Sequence, residues 1–129
     1  MERERKLNTL LAQAGVKTDQ TTGALTTPLH FSTTYQHPEF GQSTGYDYTR
    51  TKNPTRVSLE ETLAAIESAD YALATSSGMS AIVLAFSAFP IGSKILAVRD
   101  LYGGSFRWFN QLEQEGRFHF SYARSEEEL

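Results

Sequence analysis

No cysteine occurs in the 129 residues, which excludes structural disulfides and thiolate metal sites and suits a reducing compartment. No apolar run is long enough to cross a bilayer. The longest, roughly Met79 to Ile91, falls well short of the ~20 residues a spanning helix needs. The amino-terminal MERERKLNTLLAQAG is charged and lacks the apolar centre of a secretory signal, so a cytoplasmic protein with no membrane partner is expected. A basic stripe is also missing. The net charge is −3 and the Lys and Arg residues are scattered, which argues against nucleic acid as a partner. His30, His37 and His119 lack ligand spacing and acidic partners nearby, so no metal site is expected. Internal repeats and low-complexity tracts are absent as well. What remains is 40% hydrophobic and 21% charged, the balance of a soluble globular domain with room for a core.

Along the chain, Leu7, Leu10, Leu11 and Ala14 form a helical stripe, with Gly15 as its stop. From Val16 to Thr51 no period lasts. That is too long for a plain loop within a compact domain. Its aromatics and histidines (His30, Phe31, Tyr35, His37, Phe40, Tyr46, Tyr48) argue against disorder, so an arm lying on something else, such as a partner subunit, is expected. Asn53 then caps a helix with Pro54 in its first turn, and Glu60 and Glu61 lie early, where the helix dipole favours them. Beyond it the pattern alternates. YALATSS (71–77) reads as a buried strand, and GMSAIVLAFSAF (78–89) as a helix apolar nearly all round and therefore buried. KILAVRD (94–100), SFRWFNQLEQE (105–115) and RFHFSYA (117–123) follow as strand, helix and strand. Trp108 is expected in the core. The order implies an α/β fold with a mostly parallel sheet and helices on both faces. Residues 1–52 are read as an amino-terminal helix and arm, and 53–129 as the first, incomplete part of an α/β domain.

Ligands of open parallel sheets gather at the carboxyl ends of strands. TSSGMSA (75–81) runs from a strand into small residues and at once into a helix, so the Gly78 and Met79 amides form an anion site at its positive end. The turn matches neither a Walker loop nor G-x-G-x-x-G, and an ordinary tight turn is the competing reading. In RDLYGGS (99–105), Tyr102 follows a strand and precedes two glycines and a helix, which suits a ring lying flat on a planar ligand. The simpler alternative is that it covers a core edge. In GYDYTRTKNPTR (45–56), Tyr48 and Arg50 project from one face of an extended segment, and a phenol with a guanidinium can bind a phosphate. Alternatively the two side chains stack on each other.

The ordered motifs YDYTRTKNPTR, SSGMSAI and DLYGGSFR, with PLHFSTTY in the arm, carry a resemblance. The sequence resembles, from about Leu10 to its last residue, the cystathionine-metabolism (transsulfuration) family of pyridoxal-phosphate-dependent enzymes. The resemblance implies the beginning of a fold-type I large domain preceded by an intersubunit arm, and a homotetramer built from dimers. It implies that Tyr48 and Arg50 bind the phosphate of the partner subunit's pyridoxal 5'-phosphate, and that Gly78 and Met79 bind that of their own. Tyr102 would stack on the cofactor ring and serve as the catalytic acid–base residue. The implied reaction makes or breaks C–S bonds in cystathionine- or homocysteine-type substrates. The motifs look closer to γ-synthases and cystathionine lyases than to methionine γ-lyases.

One departure matters. The family's Schiff-base lysine lies downstream of where this sequence stops. Lys6, Lys17, Lys52 and Lys94 lie on a polar helix, in the arm, beside the Tyr48–Arg50 pair and at the amino end of a strand. A catalytically incompetent amino-terminal fragment is therefore expected. The competing class is a non-catalytic assembly or interaction module. A third reading is another phosphate-binding α/β protein that uses the Gly78 turn alone.

Overall fold

The computed structural model describes residues 7–124. Its elements run α1 (Leu7–Ala12), α2 (Pro54–Ile66), α3 (Gly78–Phe86), β1 (Lys94–Val98), α4 (Gly103–Gln114) and β2 (His119–Ala123). They belong to two compact units that divide between Ala74 and Thr75. Among the described residues no helix is long and apolar enough to cross a membrane.

The first unit is built around α2. Asn53 caps it with Oδ1, accepting from the amides of Thr55 and Arg56, and Pro54 occupies the first turn, where its missing N–H costs nothing. Glu60 and Glu61 do not benefit from the helix dipole as expected. They lie in the second turn, beyond the reach of the first-turn effect. Glu60 instead accepts from the Ala74 amide at 3.0 Å and lies 3.6 Å from Arg56 Nε. The helix ends at Ile66 with Glu67 as its cap, and beyond it Ser68 takes a left-handed φ of 53°, with the Ala69 amide bonded back to the Ala64 carbonyl.

The arm does not lie wholly on something else. Its first half is strapped to α2 of its own chain by polar contacts: Lys17 to Glu61 (3.1 Å), Thr27 to Ser58 (3.0 Å) and the His30 amide to Thr55 Oγ1 (2.9 Å). Its side chains bury little. In this unit Ala64 alone among the described hydrophobics is buried, and Phe31 and Phe40 stand fully in solvent.

The second unit is a β–α–β arrangement. β1 and β2 pair in parallel, from Lys94 opposite His119 to Val98 opposite Ala123. Parallel pairing needs a long connection, and α4 supplies it. α4 presents Ser105, Phe109 and Leu112, at helical spacing, to the interior. Phe109 stacks on Phe120 of β2 at 4.7 Å. Phe86, at the end of α3, enters the same cluster and meets Phe109, Phe118, Phe120 and Trp108 at 5.0–6.0 Å. Trp108 is half-buried there rather than enclosed.

Two expectations fail in this region. Residues 71–77 form no strand, since a strand needs a ladder and no described segment pairs with them; Tyr71 and Leu73 are exposed. α3 is not buried: none of its residues is enclosed, and Val83 and Leu84 face solvent. Its apolar circumference is only partly covered, at Met79, Ile82 and Phe86.

Candidate functional site

In the first unit, the arm places Tyr48 beside Arg50, but not by strand alternation. Tyr48 makes a single antiparallel bridge to Thr34, flanked by Tyr35 N to Asp47 O and Thr49 N to Thr33 O. The chain then turns, with the amides of Thr51 and Lys52 both reaching the Tyr48 carbonyl at 3.0 Å. This turn folds the exposed Arg50 back over Tyr48. Its guanidinium carbon lies 5.5 Å from the ring centroid, and Nη2 donates to the phenol oxygen at 3.1 Å. The pair therefore stacks on itself, and the turn replaces the expected extended segment. The two donor groups are nevertheless adjacent, and Arg50 is open to solvent.

Two residues that the sequence reading did not assign to the site hold this turn. Arg56, on α2, donates to the carbonyls of Thr49 and Arg50 at 3.4 Å and of Thr51 at 2.7 Å. Asn53 Nδ2 reaches Thr49 Oγ1 (2.6 Å), the His30 carbonyl (3.0 Å) and the Tyr35 hydroxyl (3.4 Å). Asn53 thus starts the helix with its oxygen and ties down the arm with its nitrogen. Tyr46 packs against Tyr35 at 5.7 Å, with Lys52 over its other side at 5.2 Å from the centroid. The histidines need one correction. His37 has an acidic partner after all, with Nε2 2.8 Å from Asp47 Oδ1, because the turns after it bring Asp47 back. Among the described residues no three His, Asp or Glu side chains gather as a metal site would require.

In the second unit, the start of α3 is a clear case of backbone accounting. A helix leaves its first four amides without intrahelical partners. Ser77 Oγ accepts from Ser80 N at 3.1 Å, and its carbonyl takes the Ala81 amide at 3.1 Å. The amides of Gly78 and Met79 are left without an acceptor among the described residues. They sit at the positive end of the helix, and open space surrounds the position a Gly78 side chain would occupy. This is a polar group set that fits a phosphate.

Tyr102 caps α4 by position only, since its side chain makes no capping bond. It is 72% exposed, so it covers no core edge, and its ring lies against Gly104. Ser105, the buried polar side chain of this unit, donates to Met79 Sδ at 3.4 Å. That contact joins the first turns of α3 and α4, so the free amides and the exposed phenol belong to one end of one unit. The sequence signal for Ser105 was only its place in the first turn of a helix. Lys94, the described lysine of this unit, begins β1; in the first unit Lys17 pairs with Glu61 and Lys52 lies over Tyr46.

The sequence pattern of the family described as "Cys/Met metabolism PLP-dependent enzyme" matches residues 8–128. A cystathionine gamma-synthase of Haemophilus influenzae is 48% identical over 107 residues, covering 83% of this chain and 29% of the relative. A cystathionine gamma-synthase/O-acetylhomoserine (thiol)-lyase of Bacillus subtilis is 43% identical over 116 residues, or 88% of this chain and 31% of the relative. In three dimensions the chain superposes on cystathionine gamma synthase from Xanthomonas oryzae pv. oryzae in complex with cystathionine. The TM-score is 0.84 at 38% identity, over 94% of this chain and 32% of that one. The chain thus spans about a third of the length of these relatives.

Proposed function

Because the chain belongs to the Cys/Met metabolism family of pyridoxal-phosphate-dependent enzymes, we propose that it is the cofactor-binding amino-terminal part of an enzyme of sulfur amino-acid metabolism. The enzyme would make or break C–S bonds in cystathionine- or homocysteine-type substrates. The observation that carries this reading is the pair of unsatisfied Gly78 and Met79 amides, on the same end of the unit as the exposed Tyr102 ring.

When bound, the cofactor supplies an electron sink for the substrate carbons beside the C–S bond. The chain's own residues do the rest. The Gly78 and Met79 amides donate to the phosphate, reinforced by the α3 dipole. Tyr48 and Arg50 part from each other and donate to the phosphate held by a second copy of the chain, as charge-assisted bonds favour. Residues 1–52 act as the arm that carries them, and residues 53–129 begin the cofactor domain. Such an arm requires at least a dimer, and a homotetramer in the cytoplasm is the assembly we propose. The Tyr102 ring would lie on the cofactor, and its phenol would hold or move a proton at the leaving sulfur. We further propose that no lysine of this chain attaches the cofactor covalently and that the isolated chain is inactive.

The test uses the polypeptide extended to the length of its relatives. Titration with pyridoxal phosphate should give a saturable visible absorbance. A colourless protein that ignores the cofactor refutes the reading. Arg50→Ala should weaken cofactor retention by about 1.5–3 kcal/mol, one hydrogen bond to a charged group. Unchanged retention would remove Arg50 from the site.

A further inference from the structure

Gly104 occupies a place where glycine has no conformational excuse. Its φ lies outside the left-handed region, and it sits inside the first turn of α4, where alanine is the better helix former. Gly103, its neighbour in the same turn, has nothing within 4 Å of the position a side chain would take. At Gly104 that position is filled. A Cβ there would overlap Tyr102 Cε1 and lie 3.1 Å from Cδ1 and 3.3 Å from Cζ. The neighbours in this contact all belong to the Tyr102 ring. The ring has no hydrogen bond that fixes it and is largely exposed, so packing is the force that can choose its orientation.

We propose that Gly104 is a positioning residue: its missing side chain is the notch in which the Tyr102 ring rests, and this sets the ring's orientation towards the cofactor face. The proposal deepens the function above and rests on Tyr102 meeting a planar ligand there. Tyr102 has two side-chain torsions, and a methyl group in the notch removes the rotamer that lies along the first turn of α4. The ring then swings outward and gives up its packing against the first turn of α4.

The experiment places 3-fluorotyrosine at position 102 alone, in the polypeptide extended to the length of its relatives. Fluorine spectra are recorded without cofactor and after adding pyridoxal phosphate. Without cofactor, Gly104→Ala should move the resonance by more than its linewidth, and Gly103→Ala should leave it in place. Coincident Gly104→Ala and unsubstituted resonances, or equal shifts from both variants, overturn the proposal. A melting cycle gives a second reading. Gly104→Ala should raise Tm more when Tyr102 is also replaced by alanine than when the ring is present. Additive changes overturn the proposal too. The cofactor arm separates the two claims. If pyridoxal phosphate leaves the unsubstituted resonance unmoved, Tyr102 does not meet the cofactor. The cofactor-free spectra still decide whether Gly104 orients the ring.

Discussion

Replacing Asn53 by alanine removes two functions that aspartate would divide. Its Oδ1 caps α2 through Thr55 N at 2.8 Å, and such a cap contributes about 1 kcal/mol, within a range of roughly 0.5–2. Its two Nδ2 hydrogens meet three acceptors, of which Thr49 Oγ1 at 2.6 Å and the His30 carbonyl at 3.0 Å are short enough for full bonds. Each contributes about 0.5–1.5 kcal/mol, towards the low end because the site is partly exposed. Asn53→Ala should therefore cost about 2–3 kcal/mol. Asn53→Asp keeps the cap and can accept from a turned Thr49 hydroxyl, losing chiefly the His30 bond, so it should cost about 1 kcal/mol. Urea unfolding followed by far-ultraviolet circular dichroism measures both. Amide exchange at Tyr35 and Thr49, whose bonds to Asp47 and Thr33 hold the arm together, should quicken more in the alanine variant. Equal losses in the two variants would show that the Oδ1 cap contributes nothing, and an aspartate variant as stable as the starting chain would show that the nitrogen ties down nothing. Two variants as stable as the starting chain would refute Asn53 as the junction of arm and helix.

Two further outcomes are expected. Gly78→Ala should leave the melting temperature unchanged or slightly higher, since its side chain meets nothing, while weakening pyridoxal-phosphate binding about tenfold, near one charge-assisted hydrogen bond. Undiminished binding would show that close approach to this backbone is not needed. Burial, with the Glu113 charge as a lesser cause, raises the Tyr122 phenol above its ordinary value near 10. The stability it contributes is therefore complete below that value and is lost as pH rises through the higher folded one. Its hydroxyl is buried without a partner among the described residues, so Tyr122→Phe should remove this alkaline loss and stabilise the chain by about 1 kcal/mol. Identical melting curves above pH 10 would contradict this.

Local signals in the sequence were the readable ones. Asn53-Pro54 marks a helix start because capping involves residues two and three positions away. Gly15 does take a left-handed φ of 72°, but α1 has ended three residues earlier, at Ala12. The β1–α4–β2 order and the parallel pairing follow from periodicity and the length of the connection. The failures all depend on distant partners or on an exceptional residue. YALATSS has the composition of a strand, but a ladder is made with another segment, which composition does not reveal. Ser68 adopts the left-handed angle that glycine usually takes, so no stop could be read there. His37 and Asp47 are ten residues apart, and only the turns between them make the contact. At the site, the free amides of Gly78 and Met79 were legible from the small residues that lead into the helix start, although the strand expected before them does not form. The back-folding of Arg50 onto Tyr48 was not, because a turn there replaces the alternation on which the expectation rested.

The mounting of α3 has a mechanical consequence. Met79, Ile82 and Phe86, at helical spacing, are its partly covered side, with Met79 against Ser105 and Phe86 among aromatic rings, while Val83 and Leu84 stand in solvent. The helix is thus anchored along one stripe and open along the other. Trp108 lies edge-on to Phe86 at 5.2 Å, so a ligand that draws on the Gly78 and Met79 amides is expected to register as a change in indole emission at the far end of the helix.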